Sequence, residues 1–217
     1  MFSTGCQKMS TKTTANGPRP LVLGSASPYR RELLGRLGLP FSVAAPDIDE
    51  TALPAETPAQ TAVRLAEAKA RAVAARYSRA LVIGSDQIAD CAGQPVGKPG
   101  NRAAAVAQLQ ALSGKTVVFH TSVALVDATT GRCRTALVDV ASTFRTLGSA
   151  DIDAYLDREA PFDCAGSVKS EGLGIALFDR IQSDDPTALI GLPLIALSRL
   201  LRDEGVDVLV PAATLTA

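Results

Sequence analysis

The 217-residue chain has 47% apolar and 20% charged side chains, enough apolar material for a hydrophobic core and far from the composition of a disordered chain. Its 22 basic and 22 acidic residues cancel, so no whole-molecule field draws it to duplex DNA or an anionic membrane. With 4% aromatics and no tryptophan, a surface that stacks base after base is excluded as well.

Residues 1–19 are polar and rich in Ser, Thr, Lys and Gly, with no apolar run suited to a signal segment, and are expected to form a disordered tail. A single domain is expected over residues 20–210, followed by a short tail at 211–217. Leu21-Val22-Leu23 predicts a strand that passes through Gly24-Ser25-Ala26-Ser27 into a helix at Pro28. Thr57-Pro58-Ala59-Gln60 has the pattern of a capping box with proline at the first helical position, opening a long helix to about Tyr77. That Ala-rich helix carries Arg64, Glu67, Lys69, Arg71 and Arg76, so it is no membrane span.

The run 80–84 predicts a strand covered on both faces and ending at Ser85-Asp86-Gln87. Asn101 caps a further helix that ends near Ser113-Gly114. Residues 116–126 and 133–144, rich in Val, Thr and Phe, predict a hairpin around the polar turn 127–132. A helix at 149–158, a Gly- and Ser-rich loop at 164–174 and a last helix at 194–204 complete the chain. Alternating helices and strands with one long hairpin predict an α/β fold with a mixed sheet.

Three clusters carry candidate chemistry. In Ser25-Ala26-Ser27-Pro28-Tyr29-Arg30-Arg31, two arginines occupy the first turn of a helix, where the dipole already presents positive charge, an arrangement that suits a bound phosphate. The competing reading is an ordinary Ser27 cap with solvated arginines. Asp86 is delivered at a strand end, and Gly97-Lys98-Pro99 follows on a loop that can bring a cation beside it. The small residues of the 164–174 loop permit close approach to a ligand, with Lys169 and Glu171 as its charges. The alternative there is a flexible surface turn.

Other residues are weaker candidates. Asp47, Asp49 and Glu50 can either hold Mg2+ or form a solvated loop, and Lys69 either faces the cleft or lies on the surface. His120, the one histidine, is expected to be a packed strand residue. Cys6, Cys91, Cys133 and Cys164 form no Cys-x-x-Cys pair, which argues against structural zinc and for reduced thiols.

Taken in order, Ser25-x-Ser27-x-x-Arg30-Arg31, Asp47-x-Asp49-Glu50-Thr51, Gly84-Ser85-Asp86-Gln87, Gly97-Lys98-Pro99, Cys164-Ala165-Gly166-Ser167-x-x-Ser170-Glu171-Gly172 and Gly191-Leu192-Pro193 resemble the Maf family of nucleoside triphosphate pyrophosphatases, from about Leu21 to Leu209. The resemblance implies two α/β lobes around an elongated mixed sheet, with a nucleotide cleft between them. It implies hydrolysis between the α and β phosphates with a divalent cation, Mg2+ or Mn2+. On that basis Asp86 is the expected catalytic base, Ser25, Ser27, Arg30, Lys98 and Lys69 bind phosphate, and Glu50 contacts the metal.

Tyr29, Gln87 and Glu171 fall where the kind of member acting on 7-methylguanosine triphosphate has an aromatic residue, Gln and Glu, although the closest pattern carries Trp where this chain has Tyr29. The alternatives are a dTTP/UTP pyrophosphatase of the same family, a phosphatase removing the terminal phosphate, and a nucleotide-responsive regulator of septum formation. A cytoplasmic homodimer that binds neither nucleic-acid polymer nor membrane is the expected context.

Overall fold

The computed structural model describes residues 19–210; the expected tails, Arg19 apart, and Cys6 lie outside the described residues. Strands β1 (Leu21–Gly24), β2 (Phe41–Val43), β3 (Leu81–Cys91), β4 (Gln94–Val96), β5 (Thr116–Asp127), β6 (Cys133–Phe144) and β7 (Phe178–Gln182) form one sheet. Its order is β2-β1-β3-β5-β6-β7, with β4 paired to β3. β1 runs parallel to β2 and β3, and the other pairs are antiparallel, so the sheet is mixed as predicted. Helices α1 (Pro28–Gly35), α2 (Pro58–Ala74), α3 (Arg102–Leu112), α4 (Ser149–Glu159) and α5 (Leu194–Asp203) pack against it.

The helix starts follow local chemistry. Thr57 and Gln60 complete the reciprocal capping box of α2, Ser27 caps α1 ahead of Pro28, and Asn101 caps α3. Each satisfies backbone N–H groups that the first helical turn leaves without partners. Helix α2 stops at Ala74, three residues before the expected end, and Tyr77 N–H closes a tighter turn onto Ala74 O.

Apolar side chains divide into three buried clusters along the sheet. Leu33, Leu34, Leu197 and Leu201 of α1 and α5 cover one face at Leu21, Leu23, Ile83 and Leu125. Ala66, Ala70 and Val73 of α2 cover the opposite face at Val22, Val82, Ala124 and Val126. Further along, Leu109, Ile152 and Leu156 of α3 and α4 pack on Phe119, Val140 and Phe144. Strands β5 and β6 contribute to the packing at both ends, which keeps the two ends in one frame.

Glycine sets how closely α2 approaches. Gly24 and Gly84 are register partners in the parallel β1–β3 pair. A Cβ built on Gly84 would lie 2.6 Å from Ala70 N and 2.9 Å from Ala70 Cβ, and one on Gly24 would lie 3.4 Å from Lys69 O. The helix therefore rests directly on strand backbone, a separation that only residues without a side chain allow.

Four expectations are corrected. The apolar run does not end its strand at Ser85-Asp86-Gln87, because β3 continues to Cys91 while β5 supplies antiparallel partners from Leu81↔Asp127 to Asp90↔Val118. Asp86 is consequently a mid-strand residue, exposed to a cleft because β1 stops beside it at Gly24. Short β2, β4 and β7 were not foreseen; at three to five residues, mostly exposed, they show no apolar periodicity. Arg19, assigned to the tail, instead pairs with Asp127 at 3.1 Å and with Glu204 at 3.2 Å.

Candidate active site

Where β1 ends, β3 runs on with no strand on its β1 side until β4, and its polar residues there line a cleft of about 550 Å³. The turn after β1 contributes Ser25, Ser27, Tyr29 and Arg30, the α2 side contributes Glu50 and Lys69, and β3 contributes Asp86 and Gln87. Ala92 and Gly93, both at positive φ, reverse the chain after β3, and pairing of Ala89 with Val96 returns Lys98 to the same cleft. Asp163, Cys164 and Glu171 form another wall. All ten residues to which the sequence and the resemblance assigned roles line this one cleft.

Lys69 is the centre of the charge arrangement. Its Nζ lies 2.7 Å from Asp86 Oδ1 and 2.8 Å from Glu50 Oε2. Lys69 and Asp86 are each only 5% exposed, so the ammonium is satisfied by carboxylates where water is scarce. The cation beside Asp86 is thus Lys69, one residue from the Ala70 contact with Gly84, and not the loop residue Lys98. Among the described residues Asp86 Oδ2 has no hydrogen-bond partner, which leaves one oxygen available toward the cleft.

The N-terminus of α1 borders the cleft. Ser25 Oγ accepts from Ser27 N–H at 3.2 Å, and Ser27 Oγ accepts from Arg30 N–H at 3.4 Å. Arg30 Nε donates to Gly191 O at 2.8 Å, and its terminal nitrogens have no partner among the described residues. Burial lowers the guanidinium pKa from its ordinary value, opposed by the charges of Asp86 and Glu50. Ser27 is a helix cap, and Arg30, whose N–H it accepts, lines the cleft. Arg31 does not, since it borders a different surface hollow beside β2.

Tyr29, next to Arg30, faces another set of groups. Its phenol pKa is raised by burial and by Cys164 and Asp163. Cys164 Sγ lies 4.0 Å from Tyr29 Oη and 3.6 Å from Asp163 Oδ1, and burial together with Asp163 pushes the thiol up to about 11. Glu171 is exposed and pairs with no cation among the described residues. Lys169, its expected companion, turns away and pairs with Glu159 at 3.3 Å. The 164–174 loop is no loose surface turn. Ser167 Oγ donates to Gln108 Oε1, Lys169 N–H donates to Tyr155 Oη, and Gly166 N–H donates to Gly97 O.

Two parts of the site were given no role from the sequence, although Gly191 belongs to the Gly191-Leu192-Pro193 motif. One is Asp163, a carboxylate that lines the cleft beside Cys164. The other is the backbone of the 188–191 turn: Gly191 O accepts from both Arg30 Nε and Ser85 Oγ, and Ala188 O accepts from Thr121 and Gln87. Of the acidic cluster near residue 50, Glu50 alone lines the cleft, while Asp49 accepts from Thr51 N–H. His120 is held between Asp139 at 2.7 Å and Asp90 at 3.3 Å, as expected of a bonded strand residue.

A family model described as "Maf-like protein" matches residues 20–204. The chain is 59% identical over 191 residues to the "7-methyl-GTP pyrophosphatase" of Albidiferax ferrireducens, covering 88% of this chain and 96% of that one. It is 58% identical over 185 residues to the protein of that name from Cupriavidus metallidurans, covering 85% and 93%. The counterpart from Aromatoleum aromaticum is 60% identical over 185 residues, covering 85% and 95%. Among the described residues no helix is long and apolar enough to cross a membrane.

Proposed function

Because the chain belongs to the Maf family, we propose that it is a nucleoside triphosphate pyrophosphatase whose preferred substrate is 7-methyl-GTP, releasing nucleoside monophosphate and pyrophosphate. The observation that carries this reading is the buried Asp86–Lys69 pair at 2.7 Å, in the same cleft as the Ser27-capped helix start and Arg30. Phosphoryl chemistry asks a protein to place a nucleophile and to neutralise charge on phosphate oxygens. Asp86 Oδ2 accepts the proton of the attacking water as the bond between the α and β phosphates breaks. Lys69 fixes the other carboxylate oxygen. Arg30 and Lys98, neither paired with a carboxylate among the described residues, take the phosphates, and Ser25 and Ser27 shape the turn beneath them.

Glu50 is the residue that would contact a divalent cation, with Asp86 kept for the proton of the attacking water. Glu50 offers a hard carboxylate oxygen, and no group of three or more His, Cys, Asp or Glu suited to a metal exists among the described residues. Mg2+ or Mn2+ would thus take its other ligands from phosphate and water, the usual arrangement for Mg2+. When bound, the cation supplies further neutralisation of phosphate charge.

Base selection rests on Tyr29 and Glu171. Methylation at N7 makes guanine cationic, which strengthens stacking on an aromatic face, and a carboxylate both balances that charge and accepts from N1–H and N2–H. A pyrimidine offers Glu171 no such charge. The decisive experiment is pyrophosphate release over a panel of 7-methyl-GTP, GTP, dTTP and UTP, with Glu171→Gln beside the parent. The parent should prefer 7-methyl-GTP, and the variant should lose roughly tenfold of its methylated-to-plain preference. Preference of the parent for dTTP or UTP would sink the substrate assignment. A cytoplasmic homodimer is proposed from the substrate pool and from family membership, and light scattering at working concentration tests the dimer.

A further inference from the structure

We infer that Gln87, on the cleft wall, and Thr121, behind it, are positioning residues that set substrate affinity by clamping the 188–191 turn. The inference rests on the pyrophosphatase reading above. Gln87 Nε2 lies 2.9 Å from Thr121 Oγ1, 2.9 Å from Ala188 O and 3.0 Å from Leu189 O. A side-chain amide nitrogen carries two hydrogens. Three protein acceptors already surround it, so it has no donor left for a nucleobase. The same acceptors fix the orientation of the amide, because the reversed one would face Oε1 toward two carbonyl oxygens.

Thr121 completes the clamp. Its Oγ1 donates to Ala188 O at 2.9 Å and accepts from Gln87. Thr121 and Ala188 are both fully buried and neither lines the cleft, yet the next three residues, Leu189, Ile190 and Gly191, do line it. At the far end of the turn Gly191 O accepts from Arg30 Nε at 2.8 Å and lies 2.9 Å from Ser85 Oγ, whose one hydrogen it shares with Ser122 O at 2.8 Å. One short segment is thus pinned at its start by Gln87 and Thr121 and at its end by Ser85 and the phosphate-facing arginine. Loosening the start shifts Leu189 and Ile190 against the substrate, while Ser85 still holds Gly191 O and, through it, Arg30. The effect therefore falls on binding more than on turnover.

The competing account is direct contact of Gln87 with substrate through Oε1, which has no partner among the described residues. Thr121 separates the two, because it cannot touch substrate. KM and kcat for 7-methyl-GTP are measured for the full chain, Thr121→Val, Thr121→Ser, Gln87→Glu and the Gln87→Glu/Thr121→Val double variant. Thr121→Val should raise KM roughly fivefold with kcat within about twofold of the parent, and Thr121→Ser, which keeps the hydroxyl, should restore the parent KM. The double variant should be no worse than Gln87→Glu alone, since both changes open one clamp. A parental KM in Thr121→Val beside a raised KM in Gln87→Glu overturns the inference. Hydrogen exchange at the Gly191 amide, bonded to Ala188 O at 2.9 Å, reads the clamp without activity. It should be faster in Thr121→Val than in Thr121→Ser, and equal rates overturn the clamp even if Gln87→Glu fails to fold. Failure of the parent to release pyrophosphate would instead remove the enzymatic reading, and is visible before any variant is compared.

Discussion

Gly84→Ala tests the link between fold and chemistry at a residue that touches no substrate. The added Cβ would lie 2.6 Å from Ala70 N and closer still to Ala66 O, whereas ordinary contact begins near 3.4 Å, so α2 must retreat by at least about 0.8 Å. Lys69 is the preceding residue on that helix. If its side chain does not compensate, the 2.7 Å bond to Asp86 stretches to about 3.5 Å, beyond useful hydrogen-bond range. Overpacking of this kind destabilises by about 1–3 kcal/mol, and loosening a buried ion pair adds to it. For a chain of this size about 3 kcal/mol lowers the melting temperature by roughly 6–12 °C. Turnover should fall at least tenfold, below the melt, because Asp86 and Lys69 are no longer held together. Gly35→Ala is the control: a Cβ there meets nothing within 4 Å, and a helical Gly→Ala change stabilises by about 0.5–1 kcal/mol. Thermal melts and pyrophosphate release on both variants decide the matter. Parental stability and turnover in Gly84→Ala would refute the claim that glycine at this position places the lysine.

Asp86→Asn, with Lys69 still paired to Glu50, should lose roughly a hundredfold or more in kcat with little change in KM; full pyrophosphate release by the folded variant would remove Asp86 from proton transfer. Excess EDTA should abolish activity and added Mg2+ should restore it, whereas undiminished turnover in EDTA would remove the metal. Glu204 bears on stability: burial pushes its pKa up, but hydrogen bonds from Arg132, Arg134 and Arg19 outweigh this and hold it below the ordinary value of 4.5. A carboxylate depressed in the folded state stabilises fully above its unfolded pKa and loses that contribution as pH falls through the folded one. Glu204→Gln should therefore melt below the parent at pH 7, with the gap narrowing below about pH 4.5, and a gap that stays constant to about pH 3 would contradict the assignment.

What was legible in the sequence was local. The Thr57–Gln60 capping box and the Asn101 and Ser27 caps are interactions over three residues, and the chain states them directly. The long hairpin was equally plain, because β-rich composition and a polar turn occur in one stretch. The partner of Asp86 was not. Lys69 and Lys98 were both open candidates, and the choice depends on α2 lying against Gly84, a contact between segments with no shared pattern. Arg31 and Lys169 looked as available as Arg30 and Glu171, but one helical position turns Arg31 away and Glu159 takes Lys169. The role of the 188–191 turn was not legible although Gly191 stood in the Gly191-Leu192-Pro193 motif, because the turn acts through carbonyl oxygens, which every residue has.

Charge explains how one cleft admits both ends of such a substrate. Around Arg30 stand Asp86 and Glu50 with Lys69 between them, and around Tyr29 stand Asp163, Cys164 and Glu171. On the first side, Lys69 offsets part of the carboxylate charge and leaves Arg30 to meet an anion; on the second, Asp163 and Glu171 form no salt bridge among the described residues, and Lys169, the cation that reaches Glu171, is already paired with Glu159. A nucleotide that entered backwards would set phosphates against two carboxylates, a repulsion on the order of 4 kcal/mol per pair at 4 Å for an effective dielectric of about 20. A substrate with an anionic tail and a cationic base gains at both ends when it enters the right way. Plain GTP gains only at the tail. Glu171 and Asp163 are exposed, so salt screens the base-side preference more strongly than it screens the buried Asp86–Lys69 pair. The methylated-to-plain ratio should accordingly shrink with ionic strength faster than kcat does, which separates the energy of choosing a base from the energy of cutting the anhydride.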